Sequence, residues 1–547
     1  MKNILKITLV AGLMAFFTGC ETTELELLES PNNITAESAD PNFVLNDIQL
    51  TFRGIFSGYN TTSTELIRMD NLFSTYNGLV DVDNLNGEWQ QSYQMFSNID
   101  LLNQINDLRD EDDKITNHLG VAQTLEAWAY MLLVEYLGDV PYSQANMPEE
   151  FPNPALDDGS AVYDAQIELL DQAIANLSAG SIIEPNDLYY GAFDPAQWIA
   201  LANSLKLRAF NNIRLVQPSR STAGINAVLN SQDFINTVGE DFQFEYGTAQ
   251  PPVESRHPRF QENYLAAGAG EYMSNQFLDF LNAGDDQPPF IETGVEDPRL
   301  RYYIYRQTDN APSGSNLPCA DNPVYEYCYV GNLYWGRDHA DDEGIPNDGT
   351  RRSTYGIYPA GGAFDKNQFE QARAVETMEG AGIEPMWLSS FTHFVLAEAA
   401  LTLGTGGGSP ASLLEQGIRL SMEKVLNFPT LSTVNSADGV DYAATQAEVD
   451  AYVGRVISEY NSASGEDAKL AVIMREYMLA AWGNGIEPYN NYRRTGLPEL
   501  QAPIYPAGPF PRAFRYPSTE TVGNPNIQQQ PLTTQVFWDN NPAGFID

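Results

Sequence analysis

Residues 468 to 526 read AKLAVIMREYMLAAWGNGIEPYNNYRRTGLPELQAPIYPAGPFPRAFRYPSTETVGNPN. Leu470, Ile473, Met474, Tyr477 and Ala481 recur at helical spacing, and Gly483 after Trp482 offers a C-cap. An aromatic run from Tyr489 to Tyr492 then leads into Arg493-Arg494. A proline-rich crossing carries the chain on to Arg512, Arg515, Tyr516 and Pro517. Basic residues are scarce here, with 29 Lys and Arg against 73 Asp and Glu. Four arginines set among aromatics therefore predict guanidinium groups paired with carboxylates in buried or interfacial positions. Their expected work is to tie the C-terminal segment to a helical body.

That body is legible as a series of apolar periodic stretches. Phe43, Leu45, Ile48, Phe52 and Ile55 predict a helix over 41–56, and Trp89, Tyr93, Phe96, Ile99, Leu102 and Ile105 another over 89–108. Residues 119–137 are apolar almost throughout and stop at Gly138. Further helices are expected over about 163–177, from Asp194 and Pro195 to about 216, over 387–404, and from Ser409 and Pro410 to about 426. The helices come in pairs without a clean 34-residue period, which predicts degenerate tetratricopeptide-like units and a mainly α fold. Between about 218 and 385 the periodicity fades into Pro, Gly, Asn and aromatics, with strand-like pieces at 301–306 and 325–330. The expected organisation is one domain over 41–547. Its helical body spans about 41–217 and 386–526, its loop-rich insert about 218–385, and its C-terminal wrap 527–547.

A net charge of −44 excludes a nucleic-acid footprint and docking on an anionic membrane face. Four scattered histidines and three cysteines do not make a zinc site, and Asp81 to Gly87 lacks the ligand spacing of a calcium loop. No metal or cofactor is expected. The first nineteen residues pair a basic start (Lys2, Lys6) with a short apolar run, the pattern of an export signal. Small residues precede Cys20, which resembles a bacterial lipobox, so Cys20 is the expected acylation site and residues 20–40 an acidic tether. Cys319 and Cys328, with eight residues between them, are expected to form a disulfide at an oxidising cell surface.

Three separated motifs carry a family resemblance. They are Arg475-Glu476 through Glu487, Tyr489 and Arg493 to Gly496 with Arg515-Tyr516-Pro517; the run YLGDVPYS ending at Ser143; and AEAAL at 397–401. Together with the turn Asp297-Pro298-Arg299 they resemble the SusD/RagB family of nutrient-binding outer-membrane lipoproteins. The resemblance implies a helical, cell-surface, lipid-anchored protein. It also implies that the protein captures a glycan or peptide as the lid of a SusC-like TonB-dependent transporter. Ligand contacts in the family come from Asn- and aromatic-rich segments, because aromatic faces cover sugar rings while amides and carboxylates bond hydroxyls. On that basis Asn71, Tyr76, Asn77, Asp83, Asn84, Trp89, Tyr334, Trp335 and Tyr355 are the candidate ligand residues. Trp89 and Tyr93, four apart on a helix, also read as core. His393 reads as a core histidine, and Asp338, Asp341, Asp342 and Glu343 as a solvated acidic group.

The alternative is a surface glycosidase using two carboxylates, for which acids abound but no positioned pair is readable. No catalytic residue is assigned, since the chain has no G-x-S-x-G elbow, HExxH run or phosphate-cradling loop. A purely structural surface protein would use the same aromatics as interface residues.

Overall fold

The structure, a computed structural model, describes residues 35–266, 268–282, 295–317, 319–320, 322–342, 347–428 and 441–546. The expected export signal, Cys20, the acidic tract to residue 34 and Glu343 lie outside these residues.

Helices dominate. α1 (Pro41–Leu66) starts where the Asp40 carboxylate accepts the Asn42 N–H at 2.9 Å and Pro41 presets the first turn. Its apolar face continues past the expected end at 56, because Ser63 and Thr64 are buried with their hydroxyls hydrogen-bonded. α2 (Asn86–Asp107), α3 (Thr116–Leu137), α4 (Gly159–Ala179) and α5 (Pro195–Asn212) follow. α1 packs on α2, α3 on α4 and α4 on α5, so consecutive helices pair as the repeat reading expected. α3 is buried on nearly every side, and Gly138 ends it at φ 85°, a conformation that costs a residue without Cβ nothing.

α6 (Pro218–Ser231) lies where the sequence offered no periodicity: only Ser221, Ile225 and Val228 are buried, too thin a stripe to read. The C-terminal half adds α7 (Ser389–Leu403), α8 (Pro410–Asn427), α9 (Gln446–Ser462), α10 (Glu466–Ala480) and α11 (Ile486–Thr495). α10 stops at Ala480 with Ala481 as cap; Gly483 takes φ 92° just beyond it. α11 is the stretch read as an aromatic run.

Strands are short and pair two by two. β1 (Phe242–Glu245) runs antiparallel to β6 (Ile383–Trp387). β2 (Met273–Ser274) lies parallel to β4 (Gly336–Arg337), and β3 (Ile304–Tyr305) antiparallel to β5 (Thr354–Tyr355). The expected strand at 301–306 is thus half helical turn, since Leu300–Tyr303 winds before β3. The expected strand at 325–330 does not form. There the Asp338 carboxylate accepts the backbone N–H groups of Glu326, Tyr327 and Cys328 at 2.9–3.1 Å and curls the chain around itself. Asp338 and Asp341 are therefore buried acceptors, not solvated acids, while Asp342 is exposed. His393 is buried, its Nδ1 2.9 Å from the Ser389 carbonyl.

The arginines of the C-terminal stretch sit at the centre. Glu135 of α3 accepts two bonds from Arg208 of α5, at 2.5 and 2.6 Å, and one from Asn490 of α11 at 2.9 Å. Arg208 also donates to Glu487 at 2.6 Å. Glu398 of α7 accepts from Arg494 at 2.6 and 2.9 Å, from Arg214 at 2.8 Å and from Asn211 at 2.7 Å. Arg493 donates to the carbonyls of Glu135 and Arg512, each at 2.7 Å, and Arg512 grips Asp539 with two bonds. Arg515 is the exception: it is half-buried and donates to Asn77 at 2.8 Å. Further along, Arg299 of the Asp-Pro-Arg turn is fully buried and clasps Asp297.

Burial alone would raise the Glu398 carboxyl; Arg494 and Arg214 overcome it and hold the group at about 2. With the folded value below the ordinary 4.5, this stabilisation is present above pH 4.5 and is lost as pH falls through 2. Glu398→Gln should cost about 3–5 kcal/mol at pH 7 by stranding two buried guanidiniums. It should also flatten the loss of stability between pH 4.5 and 2. Urea denaturation at several pH values checks this; an unchanged midpoint at pH 7 contradicts it.

Candidate functional site

A cleft opens between α2, the segment 141–154 and a short helical turn at Ser518–Gly523, with a volume of ≈ 560 Å³. That size lies within the usual range of ligand sites. Helical spacing on α2 aims Trp89, Tyr93 and Ser97 along one face into it. Trp89 and Tyr93 rings lie 4.9 Å apart at 51°, and Tyr516 meets Trp89 edge-on at 6.5 Å, so the aromatic wall is held from behind.

The second wall is a proline-rich loop clamped at its base. Val140 bridges to Asp157, whose carboxylate accepts the N–H groups of Tyr142 and Ser143 at 2.9 Å and the Ser143 hydroxyl at 2.7 Å. Tyr93 reaches across to donate to the Pro141 carbonyl at 2.9 Å. Within the loop Gln144, Asn146, Met147 and Phe151 face the cleft. The third wall carries Glu520 and is pinned to the loop by Asn524, which donates to the Pro154 carbonyl at 2.8 Å, and by Asn526, which donates to that of Asn153 at 2.7 Å.

Glu520 is the carboxyl group in the cleft's lining. Burial raises the Glu520 pKa, and a hydrogen bond from the Trp89 side chain opposes the rise. Burial likewise raises Asp100, which Asn146 bonds, and Glu126 is pushed up to about 8 by burial with Asp100 as neighbour. Two aromatic rings, prolines and Phe151 supply apolar faces, while Gln90, Gln144, Asn146 and Ser97 supply neutral hydrogen-bonding groups. Such a lining holds a polar molecule with apolar faces by stacking and hydroxyl bonding.

Of the residues singled out from the sequence, Trp89 lines this cleft. Asn77 and Asp83 are exposed and reach the segment that carries Glu520: Asn77 accepts from Arg515, and Asp83 from the Ser518 hydroxyl. Asn84 is half-buried in the turn before α2. The others lie elsewhere and are covered. Tyr76 is buried between Arg68 and His339, and Asn71 is buried with its N–H on the Tyr272 carbonyl at 2.9 Å. Tyr334 is buried under the Arg306 guanidinium, 4.8 Å from its ring centre. Trp335 is 5% exposed and donates to the Asn310 carbonyl at 3.3 Å. Tyr355 is 1% exposed, stacked on Trp482 at 4.5 Å with its hydroxyl donating to Asp70. These three aromatics pack against the loops of the insert, where Trp335, as little exposed as Trp89, lines a small pocket. Cys319 and Cys328 form a disulfide in the same region.

Sequence reading missed Phe151, Gln144, Asn146 and Glu520 as site residues. The available signal was the Pro- and Asn-rich run 141–154, a long connection between two well-marked helices.

Comparison with known proteins bears on the fold and the family. Residues 31–316 match the model of a SusD-like family described as starch-binding and associating with the outer membrane, and residues 347–526 that of the SusD and RagB outer-membrane lipoproteins. Among curated proteins, none matches. Solved structures share the fold. A chitin-binding protein superposes with a TM-score of 0.62 at 20% identity over 92% of this chain and 100% of that one. A chitin-binding SusD homologue from Flavobacterium johnsoniae gives 0.63 at 17% identity over 92% and 99%. A SusD/RagB family protein from Bacteroides thetaiotaomicron VPI-5482 gives 0.66 at 17% identity over 92% and 100%. No helix among the described residues is long and apolar enough to cross a membrane.

The burial of Tyr355 gives a test that separates packing from binding. Tyr355→Phe should cost about 1.5–3 kcal/mol, because Asp70 loses a buried donor, and should leave ligand affinity unchanged. Chemical denaturation and titration calorimetry on the same variant check this; a loss of affinity at wild-type stability contradicts it.

Proposed function

Since the chain belongs to the SusD-like family of outer-membrane proteins, we propose that it captures a neutral glycan at the cell surface, in the cleft between α2, the 141–154 loop and the Ser518–Gly523 turn. The carrying observation is the cleft's lining: aromatic rings fixed from behind, with amides and a carboxylate around them. Two chitin-binding proteins share the fold, so N-acetylglucosamine oligomers are the first ligands to try. Binding, not turnover, is the favoured chemistry. Hydrolysis of a glycosidic bond needs two carboxyl groups facing the bond, and Glu520 is the one carboxylate among the cleft's lining residues.

In this reading Cys20 carries the lipid anchor and a SusC-like TonB-dependent transporter receives the captured glycan. Binding is reversible, which allows handover.

Two experiments test the proposal. Trp89→Ala and Phe151→Ala should each weaken binding of chito- or malto-oligosaccharides at least about tenfold, or roughly 1.4 kcal/mol, with thermal melting confirming that the variants fold. Wild-type affinity in both variants removes the cleft as the site. Affinity purification from detergent-solubilised outer membranes should recover a large TonB-dependent barrel with the acylated protein; recovery of the protein alone at several detergent strengths contradicts the partnership.

A further inference from the structure

The cleft has a property that its aromatic character alone does not require. Gln90, Gln144, Asn146 and Ser97 are its neutral polar groups, Glu520 its one carboxylate, and no lysine, arginine or histidine lines it. Glu149 and Glu150 stand exposed on the loop that forms one wall, and Asn146, facing the cleft, is bonded to Asp100. Many of the chain's arginines lie inside the body, and Arg515, on the same segment as Glu520, donates to the neutral amide of Asn77. Arg208, Arg214, Arg299, Arg493, Arg494 and Arg512 are all buried on carboxylates or carbonyls of the body. The net charge of −44 adds a long-range field of the same sign.

Uronate or sulfated glycans need arginine or lysine partners, best supplied as bidentate guanidinium contacts. A carboxylate facing a carboxylate in a site with no cation is repulsive, and the partial exclusion of water from the cleft strengthens that repulsion. A neutral sugar pays no such penalty, and a protonated amino sugar gains a charge-assisted hydrogen bond.

We infer that the cleft discriminates among glycans by charge, accepting neutral and amino-sugar oligomers and rejecting polyanionic ones, with Glu520 as the specificity-determining residue. This rests on the cleft being the glycan site. Glu520 sits on a short turn at the rim, so Glu520→Gln removes the charge, keeps the shape and leaves an oxygen to accept from Trp89.

The test is titration calorimetry of the full mature chain at pH 6 and low ionic strength with three probes of equal length. They are an N-acetylglucosamine hexamer, a glucosamine hexamer and a galacturonate hexamer. The neutral hexamer should bind, the glucosamine hexamer should bind at least as tightly, and the galacturonate hexamer at least tenfold more weakly. Glu520→Gln should lower the affinity for glucosamine relative to that for the neutral hexamer and narrow the galacturonate gap. Galacturonate binding as tight as the neutral hexamer overturns the inference while leaving the cleft as a glycan site. Unchanged ratios in Glu520→Gln overturn the role of that residue. If no hexamer binds the wild type, the glycan-site reading itself falls, and the inference with it.

Discussion

Buried ion pairs that join Arg208 to Glu135 and Glu487, and Arg494 and Arg214 to Glu398, tie this protein's helices together. Removing a charge from water costs several kcal/mol even after relaxation, and only close pairing with further hydrogen bonds offsets it. Glu135 and Glu398 meet that condition. Glu135 takes bonds from Arg208, Asn490, Asn212 and Tyr163, and Glu398 from Arg494, Arg214 and Asn211. Each carboxylate therefore demands that α3 or α7, α5 and α11 arrive together, although Glu135 and Asn490 lie 355 residues apart in sequence. The apolar core supplies the bulk of the stabilisation, at about 1.5–3 kcal/mol for each large side chain fully buried. The charge pairs select which arrangement of helices that core adopts.

The same network builds the cleft from inside. Arg493 holds the carbonyl of Arg512, Tyr489 donates to that of Pro511 at 2.8 Å, and the Phe514 N–H reaches the carbonyl of Tyr136. These contacts lay the strap from 510 to 517 along the end of α3 and deliver the Ser518–Gly523 turn to the cleft's edge. Tyr516 then backs Trp89 and donates to the Asp139 carbonyl at 2.7 Å. A wall fixed this way costs little entropy to hold when ligand arrives, which favours affinity without a large closing movement.

The fold was legible because its signals are of the kind a single sequence carries. Apolar spacing marks α1 to α5, α7, α8 and α10, and Asp194, Ser409 and their following prolines mark helix starts. The pairing of Arg494 and Arg512 with carboxylates followed from the scarcity of basic residues; Arg493, which bonds carbonyls and an amide and lies 4.0 Å from the Tyr489 ring centre, did not follow that rule. The site was less legible because exposure is a property of the tertiary structure. Trp335 and Tyr355 look like surface aromatics in a polar loop, yet neighbours distant in sequence, Trp482 and Asp70 among them, cover Tyr355. Glu520, legible only as part of the family-like run after Arg515, gave no sign of a ligand role, since only the strap's path brings it to Trp89 from more than four hundred residues away.

A structure of the protein with a bound neutral oligosaccharide tests the central claim most directly. Sugar rings are expected against Trp89 and Tyr93, facing Phe151, with Glu520 and the amides of the 141–154 loop on their hydroxyls. Sugar bound instead over the insert, with Trp335 or Tyr355 uncovered to receive it, would contradict that claim.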